Sequence, residues 1–482
     1  MHIFGRCRHP RRRPPRRPGA HPQPMPSRRP RPPEAAVADN GWRLASLLGG
    51  GLVVTTIIGM SQLYFVLQMF YQVAQNPNLS YQLQLLFPFY FLIFTIVFFF
   101  RYLLIMVFAF LEAAKVRPQP EPAADWPAAG AAQPLVSVLV PAHNEEDVIE
   151  ATIQSLLRTH YEAVEIIVID DGSTDATLER AAPFAGRHGE RAVYILHKQQ
   201  GGKASALNAG YRHCHGDLVL SMDADSQLAP DSIGRLLSVL RREGAGICSG
   251  QVSIANRVNL LTRLQALEYV LMNGTARMFQ SYFHSVLIAP GPIALFSREA
   301  LEGFMRHRRD AAPAAHGADQ GPWESDTFAE DAKLSLGLLA DGVASTYEPR
   351  ARCYTRAPES IEALLNQRYR WIRGNLQAIK RSWASWRRQP EQNPSLGLWL
   401  IWFGSEALFW PAIGVTSFVL FLLFLMLTGG FTAAYFWFVL LVLADVTATA
   451  FAITTSQQRY GVLALVPVYR FFFQPLLDFK AL

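Results

Sequence analysis

The chain has 482 residues, half of them hydrophobic, 17% charged and 12% aromatic, with a mean hydropathy of +0.11. Soluble domains carry about 25% charged residues, so the shortfall places apolar sequence in blocks and argues against a wholly soluble chain. The formal charge of +7 belongs to one end: residues 1–33 hold ten arginines and no acid, and the remainder is net acidic, which gives no basis for nucleic-acid binding by the body of the chain.

In chain order, residues 1–40 read as a disordered basic tail, because ten prolines are interleaved with those arginines and no apolar run is present to bury. A signal peptide is the competing reading, but Arg and Pro fill the region where its apolar core would begin. The four cysteines, Cys7, Cys214, Cys248 and Cys353, lie far apart without a CxxC pair, which suits a reducing compartment.

Residues 41–113 predict two transmembrane helices. No charge occurs from Leu44 to Phe100, and Asn76-Pro77-Asn78 divides the stretch into segments at 44–72 and 84–111. Each meets the requirement of about 20 apolar residues for a span. Arg101, near a membrane end, is read as a snorkelling side chain. The basic tail should stay cytoplasmic, so two spans return the chain to the cytoplasm after Glu112. The Pro- and Ala-rich linker at 114–134 then marks a domain boundary.

Residues 135–385 predict a soluble α/β domain. The runs at 135–140, 165–170, 192–196 and 217–223 are short and rich in branched residues, as strands of a parallel sheet buried on both faces require. Helical stretches at 145–158, 174–186 and 203–213 lie between them. This alternation predicts a doubly wound, Rossmann-like sheet with its ligand beyond the carboxyl ends of the strands. From 386 to 482 the chain predicts further transmembrane or interfacial helices. Apolar stretches run at 395–427 around Pro411, at 432–454 and, more weakly, from 461 onward, interrupted by Glu406, Asp445, Arg470, Asp478 and Lys480.

Acids stand at the carboxyl ends of two predicted strands: Asp170 and Asp171 after one, Asp223 and Asp225 after another. Two carboxylates one residue apart suit a hard divalent cation that shares its shell with substrate phosphates; a solvated turn is the plainer alternative. In KQQGGKASALNAG (198–210), two glycines and Lys203 open a helix, an arrangement able to approach a diphosphate, although it is not a P-loop. GPIALFSREAL (291–301) reads equally as a cleft border or as a turn under the sheet. Residues 306–326 predict a mobile loop whose His307 and His316 are solvated.

PAHNEE (141–146), VIDDGSTD (168–175), GGKASALNAG (201–210), SMDADS (221–226), AED (329–331) and QRYRW (367–371) occur in that order. The set resembles the processive, membrane-embedded family 2 glycosyltransferases of GT-A fold, among them synthases of poly-N-acetylglucosamine, chitin oligosaccharides, hyaluronan and cellulose. The resemblance covers the domain by motif and the flanking spans by architecture. It implies that Asp171 contacts a uracil base, with Glu145, Asp170 and His143 beside it, although many relatives have Tyr where His143 stands. Asp223 would lie near the ribose and diphosphate, Asp225 would hold Mg²⁺ or Mn²⁺, and Lys203 would approach the donor phosphates. Asp331 would be the general base, with Glu330 supporting it and Ala329 replacing the family's threonine. Gln367 and Arg370 would hold the donor, Arg370 by forking onto phosphate oxygens. Trp371 would stack an acceptor sugar, while Arg368 and Tyr369 would pack or face solvent.

The implied activity is inverting, processive transfer from a UDP-sugar, favoured to be UDP-N-acetylglucosamine, to a growing β-linked polysaccharide. The implied location is the inner (plasma) membrane, multi-pass, with the catalytic domain cytoplasmic. The lipid bilayer, a lipid-linked acceptor and an accessory membrane subunit are the other partners to consider. UDP-glucose as donor, or single transfer to a lipid carrier, are the alternatives within the class. A transporter with a nucleotide-binding domain lacks support, since no P-loop and no inverted hydrophobic halves occur. A catalytically silent scaffold would have lost acids that are present here.

Overall fold

The computed structural model describes residues 57, 59–76, 80–115, 133–311, 321–428, 431–458 and 460–481. The basic tail, residues 44–56 and 58 of the first predicted span, most of the linker, and His316 lie outside these residues.

Two apolar helices come first, α1 (residues 59–74) and α2 (Tyr81–Lys115). The α/β domain follows, built on a nine-stranded sheet. Its strands are β1 (Val136–Ala142), β2 (Val164–Asp170), β3 (Gly186–His188), β4 (Arg191–His197), β5 (Leu218–Ser221), β6 (Gln227–Leu228), β7 (Ile247–Ile254), β8 (Ala294–Ser297) and β9 (Ser345–Thr355), in the spatial order β3-β4-β2-β1-β5-β8-β7-β9-β6. Because side chains alternate along a strand, β1 sends Val136, Val138 and Val140 into one core and Leu139 into the other. The first core is closed by α3 (Ile149–Leu157) and α6 (Ser232–Arg242), the second by α5 (Lys203–Tyr211), α9 (Arg298–Ala311) and α10 (Glu330–Ala340). A short helix, α4 (Thr177–Ala181), follows the DDG turn.

The four predicted strands, β4, β2, β1 and β5, pair in parallel, as expected. β8 runs antiparallel between β5 and β7, so the sheet is mixed. β7 and β9 pair in parallel with a register break after Gly250, where residues 349–351 of β9 bulge out. Pro349 lies in that bulge, where a residue without an N–H is tolerated.

Between β7 and β8 lie α7 (Leu260–Leu271), a wide π-type turn at Met272–Arg277 and α8 (Met278–Tyr282), and after β9 comes the long α11 (Ile361–Trp386). The chain ends in α12 (Leu396–Gly404), α13 (Trp410–Thr428), α14 (Phe431–Ser456) and a broken helical segment from Tyr460. Pro411 sits at the second residue of α13, and the π-type turn at Ser405–Phe409 before it absorbs the missing backbone bond. Among the described residues, four stretches are long and apolar enough to cross a membrane: Tyr81–Lys115, Leu396–Thr428, Trp437–Ser456 and Tyr460–Phe479. The last includes the stretch that the sequence left between spanning and interfacial.

Two charge pairs tie these stretches together. Arg101 makes a bidentate ion pair with Glu406 (2.7 and 2.8 Å) and lies over Trp410 at 4.6 Å, so it is an inter-helix tie rather than a snorkelling side chain. Arg470 Nε donates to Asp445 at 2.6 Å. Pairing of this kind offsets the cost of charge in an apolar bundle. One cluster joins these helices to the α/β domain: Ile105 and Ala109 of α2 pack with Phe279 of α8, Leu336 and Leu339 of α10, Ala378 of α11 and Trp399 of α12.

Candidate active site

The loop after β4 lies against the end of β2, and the DDG acids hold it there. Asp171 accepts from Lys198 Nζ (2.5 Å), Gly201 N (3.0 Å) and Gly202 N (2.7 Å), and Asp170 pairs with His197 Nδ1 (2.6 Å). Both Asp171 oxygens are therefore committed to the loop, and a base contact there would have to share them. Gly172 has φ +71°, and a Cβ on it would meet Gln200 N at 2.8 Å, so the turn requires glycine. His143 is exposed, with Nδ1 3.1 Å from the Asp171 carbonyl and Nε2 3.1 Å from Gln200 Nε2. Gly202, at φ +86°, ends the loop and aims α5 so that Lys203, its first residue, enters the site.

Lys203 is the hub. Its Nζ lies 2.8 Å from Asp223 Oδ1, 3.0 Å from Glu330 Oε1 and 3.8 Å from Asp331 Oδ2. Asp331 Oδ2 also accepts the Gly291 N–H at 2.8 Å. Gly291 thus belongs to the site rather than to a remote turn: a Cβ there would lie 2.6 to 2.9 Å from Lys203 Nζ, Asp331 Oδ2 and Asp223 Oδ1. Burial pushes the Asp331 carboxyl up to about 7, reinforced by Glu330 and Asp223 and opposed by Lys203. Burial also acts on Glu330, but Lys203, a backbone amide and Arg370 together hold it below the usual carboxylate range. The three acids hold the Lys203 ammonium protonated well above its ordinary range, against the effect of burial. The neighbouring acids therefore differ, one close to neutral-pH titration and one firmly ionised, which is the division that general-base chemistry uses.

The acids of the SMDADS turn diverge. Asp223 faces Lys203, whereas Asp225 is buried deeper, with Oδ1 accepting from Thr355 Oγ1 (3.1 Å) and Ser226 Oγ (3.2 Å). Burial and Asp223 raise the Asp225 carboxyl, and burial with Asp225 and Asp223 raises Glu145 to about 7. Three carboxylates that oppose one another's ionisation suit a hard cation. Among the described residues no three metal-binding side chains converge as a complete site.

The segment before Asp331 is clamped from two sides. Asn208 of α5 donates to the Trp323 carbonyl (2.6 Å) and accepts its N–H (3.1 Å), while Asp326 binds Lys333 and Arg381, each at 2.8 Å. His307, read as solvated, pairs with Asp341 at 3.0 Å.

Helix α11 brings QRYRW over this segment. At Gly374 a Cβ would collide with Ala329, so glycine at one position and alanine at the other let the helix lie close to the acidic pair. Gln367 is partly buried with its Oε1 unpaired, and Arg370 is exposed on the side toward Glu330. Trp371 is 37% exposed. Arg368, read as packing or facing solvent, is instead buried in an ion pair with Glu268 of α7 (2.6 Å). Sequence reasoning also missed the hydroxyl of Thr355 on Asp225 and the Asn208 clamp; their partners lie 115 to 130 residues away, so no local spacing signals them. The chain thus gathers Glu145, Lys203, Asp223, Asp225, Glu330 and Asp331 at one end of the sheet, whereas Asp170 and Asp171 brace the loop beside it.

Residues 137–304 match the family described as Glycosyl transferase family 2. The poly-beta-1,6-N-acetyl-D-glucosamine synthase of Staphylococcus aureus strain MSSA476 is 29% identical over 251 residues, 52% of this chain and 57% of that protein. The protein of the same name from Staphylococcus epidermidis is 30% identical over 251 residues, with the same two coverages. The match therefore spans little more than half the length of these curated relatives. Among solved structures, the mannosyltransferase PcManGT of Pyrobaculum calidifontis, in complex with GDP-Man and Mn²⁺, aligns with a TM-score of 0.45 at 21% identity, covering 73% of this chain and 94% of that one.

Proposed function

Because residues 137–304 carry a glycosyl transferase family 2 domain, we propose that the chain is a membrane-embedded, processive, inverting glycosyltransferase. It takes a UDP-sugar, favoured to be UDP-N-acetylglucosamine, and extends a β-linked polysaccharide at the inner membrane, with the catalytic domain cytoplasmic. The named activity of the staphylococcal relatives supports this sugar, and the apolar helices on both sides of the domain support the location.

The observation that carries the reading is the half-buried Asp331 carboxylate, oriented by the Gly291 amide and balanced by Lys203 beside Asp223. Asp331 accepts the proton of the acceptor hydroxyl as that oxygen attacks the anomeric carbon. The bond from that carbon to the diphosphate oxygen breaks, and UDP departs from the opposite face, so an α-linked donor yields a β-linked product. No covalent enzyme intermediate forms. Lys203 transfers part of its attraction from the acids to the diphosphate, and Arg370 stabilises the charge that grows on the leaving group. Trp371 stacks on the acceptor sugar. Asp225, with Asp223 and Glu145 near it, would hold Mg²⁺ or Mn²⁺, which supplies charge neutralisation to the leaving diphosphate.

The test is UDP release by the detergent-solubilised full chain with Mg²⁺ or Mn²⁺, run separately with UDP-N-acetylglucosamine, UDP-glucose and UDP-glucuronate, with product length resolved on the same samples. A long product from UDP-N-acetylglucosamine is expected. Single transfer to lipid, or no turnover with any donor, overturns the reading.

A further inference from the structure

Arg368 and Glu268 form an ion pair that stability alone does not explain. Arg368 is 8% and Glu268 5% exposed, their contact is 2.6 Å, and Arg368 Nε has no hydrogen-bond partner. Removing two charges from water costs at least as much as such a contact returns, and an apolar pair of similar volume serves a core equally well or better. An apolar side chain would also suit the neighbourhood, since Leu264 and Leu267 of α7 pack with Leu364 of α11 and with Val466, Tyr469 and Phe473 of the last segment.

What only an arginine supplies here is a flat cation with two faces of use. Arg368 and Trp371 are three residues apart on one helix and therefore share a side of it. The Arg368 guanidinium lies over the Trp371 ring, 4.3 Å from its centroid, while its edge is held by Glu268 on the neighbouring helix. The Tyr269 ring, next in sequence to Glu268, stands 6.4 Å from the indole at 56°. The indole is therefore backed on one face by a guanidinium fixed from another helix, flanked by a second ring, and still more than a third exposed.

We propose that Arg368 and Glu268 are positioning residues that hold the plane of the Trp371 indole, so that its open face receives the acceptor sugar at each round of elongation. The inference rests on the polymerising function proposed above. It assigns processivity to a pair outside the family's Gln, Arg and Trp positions. Lysine would keep the charge but not the planar stack, because an ammonium is a point charge on a flexible stem.

The experiment compares the full-length wild type with Arg368→Lys and with the double variant Arg368→Met/Glu268→Leu. Three quantities are read: melting temperature, donor KM and mean product length. The double variant removes the buried charges together, so it is expected to melt at or above the wild-type temperature. Its product is expected to be at least about fivefold shorter, with donor KM changed by less than about twofold, since a stacking interaction and not donor binding is lost. Arg368→Lys is expected to melt near the wild type and still give the shorter product. Full-length product from the double variant would mean that each charge merely neutralises the other, and would overturn the inference. Shortening that tracks a lowered melting temperature, or a parallel rise in donor KM, would overturn it as well. A wild type that makes no polymer removes the proposed function and this inference together; an active wild type confines any failure to the pair.

Discussion

Gly291→Ala is the substitution that most directly interrogates the charged hub. Gly291 is not among the glycines with positive φ, so the main chain accepts alanine there. The added methyl, however, would sit 2.6 Å from Lys203 Nζ, 2.8 Å from Asp331 Oδ2 and 2.9 Å from Asp223 Oδ1. To reach ordinary contact, those atoms must retreat by about 0.5–0.8 Å. All three are side-chain tips, so they move without unfolding anything, and the damage falls on geometry. A displacement of about 1 Å at a reacting group costs about 100-fold. The expected loss is therefore about 30- to 100-fold in kcat for UDP release, or about 2–2.7 kcal/mol of transition-state stabilisation. The melting temperature should stay within about 2 °C, because no buried contact is removed. The assay is steady-state UDP release beside a thermal melt of the same preparation. A kcat within threefold of wild type would refute the placement of Gly291 among these charges.

Four further outcomes follow from the same geometry. Asp331→Asn should leave donor binding within about twofold while reducing UDP release and polymer together by 100-fold or more, as loss of a general base does; substantial elongation by that variant would remove Asp331 from the role. Because burial holds the Asp331 carboxyl at about 7 and a base must be ionised to act, kcat/KM should fall tenfold per pH unit below about 7 and level off above it. A profile flat down to pH 5 would contradict this. Thr355→Val removes a hydroxyl that orients Asp225 and should weaken Mn²⁺ binding, read by titration with donor present, by about 10-fold, with Thr355→Ser restoring it. Arg101→Leu leaves Glu406 uncompensated between apolar helices and should lower the melting temperature, whereas Arg101→Leu/Glu406→Leu should recover most of the loss; equal melts for the two variants would show that the pair ties nothing.

What the sequence reveals and what it conceals divide along physical lines. β1, β2 and β5 are buried on nearly every residue, so each is written as a branched apolar run, and the acids that close β2 and β5 stand out against it. β8 has four residues and β9 is interrupted by Pro349, so neither carries a periodic signal, and no local pattern reports that β8 inserts in the reverse direction. The site divides in the same way. Asp223 and Asp225 are legible because paired carboxylates at a strand end stand out there, whereas Glu330 and Asp331 are legible only through the resemblance of AED to a family motif. Arg368 and Arg101 are not, since the meaning of each depends on an acid 100 and 305 residues away. Asp170 and Asp171 are intermediate cases: their importance is visible in the sequence, but the loop amides that engage them become apparent only when the chain is folded.

Helix α10 has two loaded sides. Leu334 and Leu338 rest on the sheet, while Ala332, Leu336 and Leu339 rest in the cluster that includes Ile105 and Ala109 of α2. Asp331, one residue from the start of that helix, is thus carried by a beam pinned between the catalytic sheet and an apolar helix 35 residues long. On the function proposed above, this bracket would fix the height of Asp331 over the hydrocarbon, as a ruler does. A stretched or thinned bilayer that tilts α2 would be transmitted to the carboxylate as a change of position, and turnover would register lipid thickness without any lipid touching the reacting atoms.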